Sequence, residues 1–184
     1  MDAKRKIDIT IFKIVTRAIA ESRDLGLMTD QLSQLLASAL EIKGCTLFAL
    51  DPQTKELEVL ASSGMSIQYM NKGPIVFDKS IGCIQTKDTI VIKDTEKTEV
   101  LQYPEEAREE GIAAIVSIPI LFNRDTIGAL RLYHHEVWDI SEQDVDSLIL
   151  LAEIIGLSLV YTRLFNSFQS IKGIISDIPS IIMP

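Results

Sequence analysis

The stretch TIGALRLYHHEVWDISEQDVDSLILLA (126–152) changes its period halfway along. In its first part residues alternate: Leu130 and Leu132 share one face and Arg131 and Tyr133 the other, as in a strand with one apolar and one mixed side. From Ser141 onward apolar residues return at spacings of three and four, which is helical. Ser141 and Asp144 form a capping box with Asp in place of the usual Glu, and Ile140 can staple onto Val145. The spacing predicts a helix over 141–168, and its run LILLAEIIGLSLVY (148–161) is apolar around more than one face, more than packing on a single sheet uses. Between strand and helix stand both histidines of the chain, His134 and His135, beside Glu136. Adjacent residues at a strand's end point to opposite faces, and no other His or paired Cys completes a zinc set, so no metal centre is expected there. Both histidines read as exposed residues of the junction.

Outward from this stretch, FNRD (122–125) is a turn, and AAIVSIPI (113–120) is a second strand with Val116, Ile118 and Ile120 opposite Ser117. IVIKD (90–94) is a short strand, and 104–110 a short helix ending at Gly111. CTLFAL (45–50) and LEVLA (57–61) flank the turn DPQTKE and make a hairpin. Residues 62–89 are irregular, broken by Gly64, Gly73, Pro74 and Gly82. At the N-terminal end, Ile7, Ile11, Ile14, Val15 and Ala18 mark a helix over 7–22, with Ile9, Phe12 and Ile19 as surplus apolar surface off the stripe. Gly26 punctuates, and a second helix capped by Thr29 or Asp30 runs to 42, where Gly44 ends it.

With 184 residues, 47% hydrophobic and 24% charged, the chain has the material for one domain and a substantial core. A net charge of −8 and a pI near 4.8 argue against a nucleic-acid surface, which needs basic patches. The two cysteines, Cys45 and Cys83, have no metal-ligand spacing, and the N-terminus lacks the apolar block of a secretory signal. The longest apolar run falls short of the ~20 residues that cross a bilayer. A soluble, cytoplasmic protein without nucleic-acid or membrane contacts is expected.

Several pieces in order resemble the GAF domain, a regulatory small-molecule-binding module. LFALDPQTKELEVLASSG (47–64) is similar to the opening hairpin of that family, and GPI (73–75) with SIGCIQTKDTIVIKD (80–94) to its pocket-covering stretch. YPEEAREEGIAAIVSIPI (103–120) and IGALRLYHHEVWDISEQDVDSLILLA (127–152) resemble its later helix, strands and terminal helix. The likeness covers about 25–165. It implies an α+β fold: an antiparallel sheet of five or six strands, with the first, second and C-terminal helices on one face and a ligand-pocket segment on the other. The expected division is 1–24 as an N-terminal dimerisation helix, 25–165 as the GAF-like domain, whose last helix (141–168) is shared with a dimer bundle, and 169–184 as a tail or connector.

The resemblance, with strand alternation, places a ligand pocket at Ser63, Met70, Ile75, Gly82, Cys83, Asp94, Tyr103, Ile115, Ser117, Arg131 and Tyr133. For an anionic ligand, Arg131 and the amides near Gly82 are the expected donors. Asn71-Lys72, Phe77 and Asp78 are a compressed version of the family's cyclic-nucleotide signature, with Lys79 where an acid is expected. Cys83, near Lys79 and Lys87, is a candidate redox thiol, although the Cys-His pair of bilin-binding members and the cysteine set of the methionine-sulfoxide reductases are absent. The expectation is a sensory domain without catalysis that binds an unknown small molecule and signals through a homodimer formed by 7–22 and 145–168. Its output would be a further domain or a partner such as a histidine kinase in two-component signalling. The alternatives are a thiol-dependent redox sensor or reductase using Cys83, and a ligand-free dimerisation module.

Overall fold

The computed structural model describes residues 7–22, 24–76 and 87–176, with side chains as far as 172. Helix α1 (Ile9–Glu21) opens at Asp8, whose carboxylate accepts from the backbone N–H groups of Thr10 and Ile11. Helix α2 (Leu25–Ala39) opens at Asp24 in the same way, accepting from Leu27. The start therefore lies upstream of the expected Thr29 or Asp30. The Thr29 hydroxyl turns back to the carbonyls of Leu25 and Gly26, so Thr29 is buried in the helix rather than capping it, and Gly26 lies in the first turn. Gly44, expected to close this helix, opens the first strand instead.

Strands β1 (Gly44–Leu50) and β2 (Glu56–Ser63) form the hairpin, closed by Asp51, which accepts from the amides of Gln53 and Thr54. A one-turn helix α3 (Ile67–Met70) and a short strand β3 (Ile75–Val76) follow. Strand β4 (Ile90–Ile92), a 3-10 turn (Thr95–Lys97) and helix α4 (Pro104–Glu109) lead to the long strands β5 (Ala114–Phe122) and β6 (Asp125–His134). The last described element is the 35-residue helix α5 (Glu142–Ser176). Among the described residues six strands make one antiparallel sheet in the order β3-β2-β1-β6-β5-β4.

Alternation along the strands separates two cores. Cys45, Leu47, Val116, Ile118, Ile120, Leu130 and Leu132 face α1, α2 and α5 and meet Ile11, Val15, Leu32, Leu36, Leu148, Leu151 and Ile155. The opposite face carries Phe48, Ile115, Ala129, Arg131 and Tyr133 under α3, α4 and the connecting loops. The expected layering of helices on one side and a covered site on the other is the layering observed. A Cβ on Gly128 would stand 2.1 Å from the Phe48 carbonyl oxygen, so this central strand can pair with β1 only if residue 128 has no side chain.

The cap of α5 does more than the local pattern shows. The Ser141 hydroxyl accepts from the Asp144 amide and donates to Oδ2 of Asp144, while Oδ1 accepts from the Ile7 amide at 2.9 Å. One carboxylate thus fastens the start of α5 to the start of α1. Beyond the sheet α5 continues past 168, and Leu157, Tyr161, Leu164, Phe165, Phe168 and Ile171 are exposed along it. By length and composition this helix is long and apolar enough to cross a membrane, against the sequence expectation; nearly half of that stretch is buried within the domain.

Candidate ligand pocket

The pocket is built where β5 and β6 meet the cover. Ser117 and Arg131 are directly opposite in the ladder, and Nε of Arg131 donates to the Ser117 hydroxyl at 3.2 Å. The guanidinium stacks 5.3 Å from the Phe48 ring, and Arg131 is only 5% exposed. Two residues further, the Tyr133 ring meets Tyr69 of α3 edge-on at 5.9 Å between centroids. Burial pushes the Tyr133 phenol up, against the opposing pull of the Arg131 charge.

The cover is strapped together by the loop that leads into α4. Gln102 donates to the Pro74 carbonyl at 2.9 Å and accepts from the Val76 amide at 3.2 Å. The Tyr103 hydroxyl donates to the same Pro74 carbonyl at 2.9 Å. Gly73 has φ +130°, and a Cβ there would come within 2.6 Å of the Tyr103 hydroxyl; both the backbone and the ring exclude another residue. Lys72 completes the wall. Its ammonium donates to the Tyr69 carbonyl at 2.9 Å and sits 3.5 Å from the centre of the Tyr69 ring.

Beneath the strap lies a cavity of about 20 Å³, reached by Tyr69, Lys72, Gln102, Tyr103, Ile115 and Arg131 among others. That is room for one water-sized group. A far wider cleft, about 660 Å³, lies on the helix side between the end of α1 and α5, lined by Ile19, Leu157, Tyr161 and Phe165. Its described lining residues carry no charge, and it faces away from the mixed side of the sheet, where Arg131 lies.

Of the residues expected in the pocket, Ile75, Tyr103, Ile115 and Arg131 line the cavity. Ser117 and Tyr133 support Arg131 and Tyr69 from the same face. Met70 packs beside this cluster and takes a 3.4 Å contact from the Ser62 hydroxyl. Ser63 does not join them: it pairs with Cys45, whose side chain belongs to the helix-side core, and directly paired residues share a face. Ser62, paired with Thr46 and bonded to its hydroxyl at 2.8 Å, holds the pocket-side position. Asp94 is also elsewhere. β4 ends at Ile92, and Asp94 caps the 3-10 turn, its carboxylate held below the usual range by Lys97 and the Glu96 amide. It borders an outer cleft with His135. Gly82, Cys83, Phe77 and Asp78 lie outside the described residues. Tyr69, Lys72 and Gln102 were missed by sequence reasoning; the Asn71-Lys72 pair was the signal at hand.

The histidine junction differs from expectation. His134 is buried at the end of β6, stacked on His135 at 4.7 Å and tilted against Trp138 at 5.2 Å. Its Nδ1 accepts from the Glu136 amide at 3.0 Å, so a tight turn brings both rings to one side. Among the described residues no group of three His, Cys, Asp or Glu side chains is arranged to hold a metal.

The comparisons agree with this architecture. The GAF domain family profile matches residues 24–159, and the chain belongs to that family, generally a regulatory sensor module. No curated protein sequence matches it. Similar solved structures include the GAF domain of a phosphoenolpyruvate-protein phosphotransferase from Coxiella burnetii, 19% identical over 86% of this chain and 96% of that one, with TM-score 0.78. Free methionine-R-sulfoxide reductase from Neisseria meningitidis, solved with its substrate, is 15% identical over 89% and 99%, with TM-score 0.71. A domain assigned to a two-component sensor histidine kinase protein from Sinorhizobium meliloti 1021 is 17% identical over 80% and 99%, with TM-score 0.69. At these identities the likeness is one of fold.

Proposed function

We propose that the chain is a non-catalytic, cytoplasmic sensory domain whose small-molecule ligand enters beneath the 101–103 strap and whose output leaves through paired α1 and α5 helices. The observation that carries this reading is the position of Arg131. It is a buried cation facing a covered cavity, on the same strand whose other face packs under the signalling helix. A ligand that draws on Arg131 acts on β6, and β6 leads through the Trp138 junction directly into α5. The output is a further domain or a partner protein such as a histidine kinase.

The second reading is a ligand-free dimerisation module, favoured by a cavity with room for only one water-sized group. Native mass spectrometry of the purified chain separates the two. The sensor reading expects dimers carrying a small molecule, or dimers that take one up with a rise in Tm. Dimers that never bind a small molecule support the module, and a strict monomer at high micromolar concentration removes the transmission step from both.

A further inference from the structure

We infer that the ligand of this pocket is a small anion whose oxyanion headgroup, carboxylate or inorganic, seats between the Arg131 guanidinium and the Lys72 ammonium. This rests on the sensor reading and narrows it to one charge class. In a chain of net charge −8, two cations from remote parts of the sequence converge on one covered space. Among the described residues no carboxylate lines that space. Among the described residues the acids acting on Lys72, Glu106 and Glu110, border a separate cleft with Ser66 and Gln68 beyond Tyr69, and Glu110 is already engaged by Ser66 and Lys43.

Both cations are held in place, Arg131 by Ser117 and the Phe48 ring and Lys72 by the carbonyl and ring of Tyr69. Their mutual repulsion is therefore not relieved by swinging apart. An anion between them converts it into two attractions at low dielectric, and a guanidinium suits the paired oxygens of an oxyanion. Gln102 and Tyr103 each commit a donor to Pro74, which fixes the strap over the two cations. A cavity of about 20 Å³ holds one water-sized group, so an oxyanion headgroup seats there only as the strap lifts.

Lys72 also makes the site sensitive to pH. Burial, and after it the Arg131 charge, bring its pKa down to about 8, with Glu106 and Glu110 pulling the other way. The other titratable groups facing it are Tyr69, whose phenol is pushed up by burial and stays neutral, and Tyr103. Anion binding needs the protonated amine, so affinity falls as pH rises through 8, by as much as about tenfold between pH 7 and pH 9.

The test titrates the purified chain with formate, acetate, nitrate and phosphate at constant ionic strength, beside the neutral formamide and acetamide. It reads Tm and the backbone amide resonances of β5, β6 and the strap. At a hundredfold excess over Kd, one oxyanion is expected to raise Tm by about 5–10 °C and shift those resonances, while the amides do nothing. Carboxylates and inorganic ions are ranked by the same titration. Lys72→Met, at a half-buried position, is expected to weaken binding about tenfold and flatten its pH dependence without unfolding the domain. Arg131→Lys should keep part of the affinity and Arg131→Met none. If a neutral or cationic molecule fills the pocket while oxyanions do not, the sensor reading stands and the anion inference falls. If no small molecule of any charge shifts the pocket resonances, both fall. Stabilisation by every salt alike, without pocket shifts, also overturns the inference.

Discussion

Gly128 shows what a single position can demand. In the sequence it is one letter of a strand, and only the pairing of β6 with β1 reveals the Phe48 carbonyl that occupies the place of its side chain. Gly128→Ala forces the two strands apart and is expected to lower stability by about 2 kcal/mol, read as a lower urea midpoint. Cys45 is the opposite case, legible as a strand residue and found wholly buried, where desolvation pushes its thiol far up. It should resist alkylation until the protein unfolds, so any fast-reacting thiol in the native protein reports Cys83. The sensor reading expects Cys83→Ser to retain the ligand response. Loss of a measurable reductase activity in that variant would establish the thiol reading instead. Lys72 is legible only as half of the Asn71-Lys72 pair; its place in one cavity with Arg131 is created by the fold, not by any local spacing.

At the scale of elements, local signals are legible in the sequence and tertiary ones are not. The Ser141–Asp144 cap needs only neighbouring residues, and the structure has it. The bond from Ile7 to Asp144 joins residues 137 apart and left no trace in the local pattern. Asp144→Ala keeps the amide-to-Ser141 bond but removes the carboxylate that Ser141 and Ile7 share, and is expected to cost about 2 kcal/mol, mostly from the lost bond to the buried Ile7 amide, seen as an equal loss by helix and tertiary probes. The start of α2 was misplaced because Asp24 and Thr29 are both plausible caps, and burial of Thr29 decides between them. Ser63 was misassigned because the β1–β2 pairing, not the hairpin sequence, fixes which side of the sheet it faces.

The junction of α3 and α4 has a pH signature of its own. Burial tends to raise the Glu110 pKa, but the hydroxyl and amide of Ser66, with Lys43, outweigh it and hold the carboxyl below its ordinary value. A carboxyl lowered in the folded state contributes stability above its unfolded pKa and loses it as pH falls through the folded one. Urea midpoints should therefore decline below about pH 4.5, and Glu110→Gln should flatten that decline.

At the scale of the molecule, the surplus apolar surface of the terminal helices was visible in the sequence; what covers it was not, because a partner leaves no periodicity of its own. The structure narrows the question. The inner stripe of α5 is consumed by β5, whereas Leu157, Tyr161, Leu164, Phe165, Phe168 and Ile171 stay exposed and run beside the apolar cleft between α1 and α5. A membrane would need the buried half of the helix as well, which the domain already holds through Leu148, Leu151, Ile155 and Leu159. A second copy offers what the exposed half lacks: an identical stripe, related by a two-fold axis, with side chains to fill the cleft. Leu164→Glu with Phe168→Glu places carboxylates where such a seam would exclude water, and a buried unpaired charge costs more than the contact gains. Sedimentation at tens of micromolar should give a dimer for the parent chain and a monomer for the double variant, with the same Tm at low concentration because neither residue touches the domain core. If the parent itself sediments as a monomer, the stripe is not a dimer seam, and the ligand response would have to leave the domain by another route.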